Sequence, residues 1–251
     1  LNDEELRKLY ERLQYLRNLE EKKTQVISSI EEQGKMTEEL RAQILEAATL
    51  VVVEDLYRPY RPKRRTRATI AREKGLEPLA NIIRLQMTDK PLETEALAFL
   101  DEEKGVTSVA DALGGAADIL AEAIADEADF RIRIREMIMK EGILVSSARD
   151  ETAKSVYENY YDYQEPLSRI AGHRILALNR GEKEKFLTVR VQAPEEKVLQ
   201  YLKRKVITRE NPVTAPALET AVEDSWKRLI EPAVEREIRG ALTEKAEDGA
   251  I

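Results

Sequence analysis

Hydrophobic residues recur at spacings of three and four along the start of the chain, which is typical of an amphipathic helix. The apolar positions are Leu6, Leu9, Leu13, Leu16, Val26, Ile27 and Ile30. Asn2 or Asp3 can cap the start of this helix, and Gly34 ends it. Glu20 and Lys23 interrupt the apolar seam, so packing against the rest of the chain is favoured over a coiled coil.

The same periodicity predicts helices in the segments that follow. A second helix, EELRAQILEAATLVVVEDLY, begins after Thr37 and stops before Pro59, because proline disfavours helical geometry in the residue before it. Gly75 separates the helical stretches ATIARE and LEPLANIIRLQ. A short helix follows in PLETEALAFLD and a long one in SVADALGGAADILAEAIADE, where Gly114 and Gly115 mark a weak point or a close helix crossing.

Strand signals are confined to the middle of the chain. ADFRIRIREMIMKEG alternates charged and apolar residues at first, but its later apolar spacing favours a helix ended by Gly142. The next stretch, ILVSS, predicts a short strand. GHRILALNRGEKEKFLTVRVQ has apolar runs on either side of a charged turn and predicts a hairpin, although residues 173–179 could instead form a helix capped by Gly181.

The tail is helical again from Glu195, and its last segment predicts one long or kinked helix. Trp226 lies on the apolar face of that helix and is expected to be at least partly buried against the earlier helices. The predicted fold class is therefore mainly α, a multi-helical scaffold with at most a small β-hairpin or sheet. We expect a helical region over 1–165, a candidate hairpin connector over 166–192, and helices over 193–251 that pack on the same body.

Composition narrows the function classes. The chain has 251 residues, a formal net charge of −7 and 35% charged residues, which favours long solvated helices. It has no cysteine, which excludes disulfides, thiolate catalysis and cysteine–zinc sites. Its apolar runs are shorter than the roughly 20 residues that cross a bilayer, and no signal peptide opens it, so no membrane partner is expected. The chain begins inside a predicted helix without an initiator methionine, and we expect it to be a piece of a longer protein.

Few groups are candidates for catalysis or metal binding. His173 is the only histidine, and its place before an apolar run favours a buried or loop-anchoring role over catalysis. The sequence contains no HExxH, nucleophile-elbow or Walker motif. The acidic pairs Glu102–Glu103 and Asp126–Glu127 are typical of solvated helix faces rather than metal ligands. We therefore expect no enzyme, no catalytic residue, no metal site and no cofactor, and a metal-dependent nuclease is disfavoured.

One segment of this acidic chain is strongly basic. Between Tyr57 and Arg72 it carries seven cations and no acid. The candidate nucleic-acid ligands are Arg58, Arg61, Lys63, Arg64, Arg65 and Arg67. Guanidinium groups bind phosphates with paired hydrogen bonds, and Tyr57 and Tyr60 could stack on bases. Such contacts carry little sequence information, because phosphates are alike in every nucleic acid.

The same arginines could instead pair with acids of neighbouring helices and attach an irregular segment to the protein. Pro59 and Pro62 predict an extended backbone for residues 57–62, which allows neighbouring side chains to face different sides. Arg64 and Arg65 are expected to point in opposite directions. The sequence leaves both interpretations open, and they are compatible if some arginines point inward and others outward.

Several long motifs resemble those of the bacterial Tex transcription-accessory proteins. They are EDLYRPYRPKRRTRATIAREKGLEPLA, LRKLYERLQYLRNLEEKK, SIEEQGKMTEEL, HRILALNRGEKEKFL and EDSWKRLIEPAVEREIRGALTEKAEDGAI, and they run through essentially the whole chain. The resemblance implies a cytoplasmic, nucleic-acid-binding protein implicated in transcription. It also implies an N-terminal helical region with a helix-turn-helix element. The family's RNase-H-like, helix-hairpin-helix and OB-fold domains are expected to lie beyond this chain.

What the resemblance implies for function is a non-enzymatic scaffold segment that binds nucleic acid, either RNA or DNA. Because the OB-fold domain supplies much of the family's RNA affinity, binding by this segment alone is expected to be weak. The alternative is a protein-interaction module, in which the first helix and the tail dock on RNA polymerase or on the remaining domains of the same protein. The oligomeric state is left open.

Overall fold

Helices form most of the protein, which confirms the mainly α fold class. The computed structural model describes residues 2–62 and 64–249. These residues fall into two compact units along the chain. The first unit comprises Leu1–Thr66 and Asp126–Ile132, and the second comprises Arg67–Ala125 and Arg133–Ile251.

The first unit is built from helices α1 (Asp3–Glu32), α2 (Glu38–Glu46) and α3 (Leu50–Tyr57), and a short 3-10 turn (Arg58–Tyr60) follows α3. Their apolar faces meet in one core. The core residues are Leu19, Val26, Ile30, Leu40, Ile44, Ala47, Val53 and Leu56. Burial of these side chains is the main source of stability for the unit, since α2 and α3, with 9 and 8 residues, are too short to be stable on their own.

Local signals begin and end these helices where the sequence predicts. Asn2 Oδ1 accepts a hydrogen bond from the Glu5 backbone N–H at 2.8 Å at the start of α1. Gly34 follows the end of α1 with a left-handed φ of 69°. Thr37 Oγ1 accepts a hydrogen bond from the Leu40 N–H at 3.1 Å and caps α2. The two side-chain caps satisfy N–H groups that have no partner within the helix.

The apolar stripe of α1 packs along only part of its length. Its later members, Val26 and Ile30, are buried. The early members are exposed, and these are Leu6, Leu9, Leu13 and Leu16. The expectation that the early stripe packs against the rest of the chain is therefore wrong for the described residues. At about 1.5 Å per residue α1 is roughly 45 Å long. Its buried contribution to the core starts at Leu19, and the partly buried Tyr15 packs against that core one turn earlier.

The second predicted helix is in fact two helices. Ala47 is buried with an extended ψ of 129°, which ends α2. Thr49 Oγ1 then accepts a hydrogen bond from the Val52 N–H at 3.3 Å and starts α3. A threonine with an extended backbone is a favourable N-cap, so it can begin a new helix inside a continuous helical pattern.

Residues 57–62 are also not extended throughout, contrary to the expectation. Tyr57 and Arg58 have helical backbone angles, and Pro59 lies in the first turn of the 3-10 helix, where its missing N–H costs nothing. The Arg61 N–H donates to the Tyr57 carbonyl at 2.9 Å. The backbone becomes extended only at Arg61, with φ −64° and ψ 133°.

Farther along the chain, the helical predictions hold. Gly75, with φ 78°, separates α4 from α5. The helix preferred over a strand for the stretch before Gly142 is confirmed as α8. The helices in this part of the chain are α4 (Arg67–Glu73), α5 (Glu77–Leu85), α6 (Leu92–Leu97), α7 (Val109–Asp126) and α8 (Ala128–Glu141).

The sheet is antiparallel and has three strands in the order β2–β1–β3. The strands are β1 (Ile143–Ala148), β2 (Asp162–Pro166, after a 3-10 turn at Glu158–Tyr160) and β3 (Leu187–Gln192). Val145 of β1 lies opposite Gln164 on one side and Arg190 on the other. The strand predicted from ILVSS is therefore the central one. β2 is not predicted, since DYQEP contains no β-branched residue.

Residues 166–192 do not form the predicted hairpin connector. They contain the alternative helix, α9 (Gly172–Lys183), followed by a turn at Lys185 with φ 67° and then β3. Gly181 lies inside α9 rather than capping it, and a Cβ there would be 2.4 Å from Leu187 Cδ1. The two apolar runs on either side of the turn thus belong to a helix and a strand that pack against each other.

The tail consists of helices α10 (Glu195–Val206), α11 (Ala215–Asp224), a π-helical turn (Ser225–Ile230) and α12 (Glu231–Gly249). Trp226 is 1% exposed, which confirms its burial. Its Nε1–H donates to Glu195 Oε1 at 2.9 Å. Ser225 Oγ donates to the Ala121 carbonyl at 2.7 Å, so the π-helical turn is attached to α7 as well as to α10.

We predict opposite effects for alanine at the two adjacent glycines of α7. A Cβ at Gly115 would lie 2.3 Å from Cδ1 of the buried Leu76 and 3.2 Å from Ala71 Cβ, whereas a Cβ at Gly114 would meet no atom within 4 Å. Gly115→Ala should therefore lower the free energy of unfolding by about 1–3 kcal/mol. Gly114→Ala should raise it by about 0.5–1 kcal/mol, because glycine is costly inside a helix. Urea denaturation followed by circular dichroism measures both, and equal effects would contradict the close approach of Leu76.

Candidate nucleic-acid interface

The basic segment, residues 57–72, begins with an arginine beside a buried carboxylate. Asp55 is fully buried in the last turn of α3, and Arg58 Nη2 lies 4.0 Å from Asp55 Oδ1. The Arg58 side chain is only 22% exposed. A carboxylate removed from water has to be compensated by a cation and hydrogen bonds. Arg58 is therefore placed to stabilise the fold.

Arg61 belongs to a cluster around Glu54. Its guanidinium contacts the Glu54 carboxylate, and Lys22 Nζ of α1 lies 2.9 Å from Glu54 Oε1. Arg61 and Lys22 also lie over the Tyr57 ring, at 5.6 and 5.8 Å from its centroid. Tyr57 OH is hydrogen-bonded to Ser29 Oγ at 2.9 Å. The ring expected to stack on bases is thus held within the protein by two cations and a hydrogen bond.

The other tyrosine considered for stacking is also engaged. Tyr60 is half-buried and packs against the core of the first unit. Its carbonyl accepts a hydrogen bond from Gln33 Nε2 at 2.8 Å. The 3-10 turn is therefore attached to the C-terminal end of α1, and neither tyrosine is presented as an open stacking platform.

The middle of the segment is solvated. Arg64 is exposed and makes no hydrogen bond or ion pair with the described residues. Arg65 is exposed as well, but it interacts with another group of the protein. Lys63 lies outside the described residues. Of the candidate ligands in the first unit, Arg64 is the one whose charge the described part of the protein leaves available.

The last part of the segment belongs to the second unit. Arg67 is exposed at the start of α4. Burial raises the pKa of the Asp118 carboxyl, and the positive charges of Arg228 and Arg67 oppose that rise. Arg72 lies 3.4 Å from the carboxylate of Glu122, so it is committed to an ion pair.

The candidate ligands are therefore not equivalent. Arg58 and Arg61 gather at the end of α3, each beside a carboxylate, while Arg64 has none. Lys22 is the residue of this site that sequence reasoning missed. No local signal identifies it, because its contacts with Glu54 and Tyr57 join residues far apart in the chain.

The remaining candidate groups for catalysis, metal binding and membrane insertion lie elsewhere in the chain. His173, expected to be buried or loop-anchoring, is exposed in the first turn of α9 beside a cavity of about 590 Å³. Across residues 2–62 and 64–249, no three His, Asp or Glu side chains lie close enough together to hold a metal ion. No helix in the described part of the chain is both long and apolar enough to cross a membrane.

Comparison with known proteins adds the family context. Residues 87–251 match the family model described as Tex central region-like. An uncharacterized protein of Bacillus subtilis, YdcI, is 43% identical over 254 residues, which cover 100% of this chain and 35% of that protein. The transcriptional accessory protein Tex of Neisseria gonorrhoeae is 37% identical over 258 residues, covering 100% of this chain and 34% of that protein.

A human relative is more distant. The S1 RNA-binding domain-containing protein 1 of Homo sapiens is 30% identical over 267 residues, covering 100% of this chain and 26% of that protein. The chain spans about a third of the length of the bacterial relatives it matches.

We predict that replacing an inward-facing arginine by alanine lowers the free energy of unfolding more than replacing an exposed one. Arg58→Ala removes the guanidinium beside the buried Asp55 and should lower the free energy of unfolding by about 1–3 kcal/mol. Arg64→Ala, which removes an exposed and unpaired side chain, should change it by less than about 0.5 kcal/mol. Urea denaturation of both variants measures the difference. Equal losses would show that Arg64 is as structural as Arg58.

Proposed function

The chain belongs to the Tex family, and from this premise we propose that it is a non-enzymatic scaffold segment of a transcription accessory protein whose basic segment contacts nucleic acid. The Neisseria relative carries a name that states a transcriptional accessory role, and the name of the human relative states an S1 RNA-binding domain. Both names support a nucleic-acid partner for proteins that contain this segment. The proposal extends that partner to the basic segment itself.

The observation that carries the proposal is the exposed, unpaired charge of Arg64. Within the basic segment, Arg64 is exposed and has no carboxylate beside it among the described residues, unlike Arg58 and Arg61. An exposed guanidinium can bind a phosphate with two parallel hydrogen bonds. Arg67, which is also exposed, lies on the same stretch of chain.

The proposed contact is independent of base sequence. The guanidinium groups meet phosphates, which RNA and DNA share, and Tyr57 is engaged with Lys22 and Arg61 rather than open to bases. Binding by a few such contacts is weak and strongly dependent on salt. We also propose α2 and α3, joined by the short turn at residues 47–49, as the helix-turn-helix-like element.

We predict that Arg64→Ala weakens binding to duplex DNA without destabilising the protein. If Arg64 makes one phosphate contact, the slope of log K against log salt should fall in magnitude by about 0.9. Arg65→Ala is measured beside it, since the two neighbours are expected to face different sides. Fluorescence anisotropy across a salt series gives the slopes, and thermal melting gives stability.

The outcomes separate the two interpretations of the segment. A lower slope with an unchanged melting temperature for Arg64→Ala supports a phosphate contact. If Arg64→Ala and Arg65→Ala both melt lower and neither loses affinity, the segment serves only to attach itself to the protein, and the proposal is wrong.

A second candidate function is protein docking through α1. The exposed early stripe, Leu6 to Leu16 at helical spacing, is apolar surface of the kind that marks interaction sites. Its partner would be RNA polymerase or the remainder of the same protein, since the relatives are about three times as long as this chain. An amphipathic helix can present such a stripe to a groove.

We predict that Leu9→Ser together with Leu13→Ser removes this docking but not folding. Both side chains are about half exposed, so the free energy of unfolding should change by less than about 0.5 kcal/mol for each. Pull-down of purified RNA polymerase, and of the remaining part of a full-length relative supplied separately, measures docking. Binding that persists in the double variant would exclude the stripe as the docking surface.

A further inference from the structure

Gln86, which follows α5, has an unusual backbone conformation, and its side chain forms several hydrogen bonds that stabilise it. It is a non-glycine residue with a left-handed φ of 55°, and it is 7% exposed. Its Nε2 donates to the Val206 carbonyl at 3.0 Å, and its Oε1 accepts from the Thr208 and Arg209 N–H groups at 3.0 and 3.3 Å. Strained residues that the surrounding structure fully satisfies are concentrated at functional sites. Gln86 ties the end of α5 to the loop that follows α10.

A second amide strengthens the same junction. Asn211 Nδ2 donates to the carbonyls of Gln86 and Thr88, at 3.1 and 2.8 Å. Its Oδ1 accepts from the Val213 N–H at 2.9 Å. The loop between α10 and α11 is therefore held against the end of α5 by neutral hydrogen bonds at several points.

This junction gathers cations that carry no partner. The four are Arg84, Arg204, Lys205 and Arg209, all exposed and all without an ion pair to the described residues. The Gln86 amide contacts the backbones of two of them, since it donates to the Arg84 carbonyl at 3.2 Å and accepts from the Arg209 N–H at 3.3 Å. Arg204 and Lys205 directly precede Val206, whose carbonyl also accepts from Gln86. Two exposed acids, Asp89 and Glu210, lie nearby in sequence. The positive charges outnumber them.

The junction also exposes two large apolar side chains. Leu85 and Met87, on either side of Gln86, are 63% and 68% exposed. We define the Gln86 surface as Arg84, Leu85, Met87, Arg204, Lys205 and Arg209. It combines unneutralised cations with apolar groups on the two segments that the amides of Gln86 and Asn211 join.

We propose that the Gln86 surface binds single-stranded nucleic acid, with its cations on the phosphates and Leu85 and Met87 against the exposed faces of the bases or sugars. This surface lies in the second unit and is distinct from the basic segment at Arg64, although the inference rests on the nucleic-acid partner proposed above. A duplex presents mostly phosphates, whereas a single strand also offers apolar base faces. The apolar pair therefore favours the single strand.

An acidic protein surface fits the same features less well. Stable protein interfaces bury about 1,200–2,000 Å² around an apolar centre, where arginine and methionine are enriched and lysine is depleted. Here the surface has four cations and only two large apolar side chains, which is a small apolar area for such an interface. The charge dominates, as it does where proteins follow a phosphate backbone.

The test compares two double variants that remove the same charge. Lys205→Ala with Arg209→Ala removes one lysine and one arginine from the Gln86 surface. The control, Lys154→Ala with Arg180→Ala, removes one of each from exposed positions elsewhere in the second unit that have no ion pair to the described residues. A third variant, Leu85→Ala with Met87→Ala, removes the apolar groups and leaves the charge.

The single-stranded probes are oligo-uridylate and oligo-deoxythymidylate of about 20 nucleotides, longer than the roughly 4–16 nucleotides that one single-strand-binding fold covers. A duplex DNA of equal length is the third probe.

We expect the lysine–arginine pair at the Gln86 surface to weaken single-strand binding on the order of tenfold at 0.1 M salt, and to lower the magnitude of the salt slope by about 1.4 for two contacts. The control pair should leave the slope unchanged. The apolar pair should weaken single-strand binding several-fold with the salt slope retained, and should leave duplex binding unchanged. Equal circular dichroism spectra and melting temperatures confirm that the variants fold.

Three results would overturn the proposal. One is an equal loss for the control pair, which would indicate only a general effect of net charge. Another is a loss restricted to the duplex. The third is competition by a poly-glutamate peptide as strong as that of an oligonucleotide of equal charge, which would identify an acidic protein as the partner. Arg64→Ala is measured in parallel, so a failure at the Gln86 surface is distinguished from a failure of the basic segment.

Discussion

The buried carboxylate of Asp55 is the constraint that decides which cations of the basic segment are paired within the fold. Removed from water, it requires a nearby cation, and Arg58 lies beside it. With Arg58 turned inward, the chain makes the 3-10 turn that brings Arg61 back to Glu54. The cations nearest to α3 are therefore committed to the fold. An exposed charge without an ion pair to the described residues lies farther along, at Arg64.

The second unit holds its cations differently. Gln86 and Asn211 fix the end of α5 and the loop after α10 with amide hydrogen bonds. An amide positions its neighbours without changing their charge, so Arg84 and Arg209 stay unneutralised, whereas Arg61 is neutralised by Glu54. Neutral hydrogen bonds can therefore hold a surface together and leave its charges in place, whereas ion pairs hold a segment by neutralising them.

Errors in the predicted fold came from apolar runs whose partners lie elsewhere in the chain. The run through α2 and α3 looks like one helix, but Ala47 enters the core in an extended conformation and Thr49 caps a new helix. The apolar runs around Gly181 suggest two paired strands. In the structure the first run forms α9 and the second forms β3, and the helix packs on the strand. Periodicity shows that a stretch has an apolar face, but over short stretches it does not choose between elements.

The sequence by itself determined the helical class, the caps at Asn2 and Thr37 and the presence of a basic segment. These depend on residues within a few positions of one another, or on composition. Only the tertiary structure decided which cations are paired. Lys22 reaches Glu54 from another helix, and the backbones around Gln86 come from distant parts of the chain. Ion pairing depends on distances of a few ångströms between side chains, and folding alone sets those distances for residues far apart in sequence.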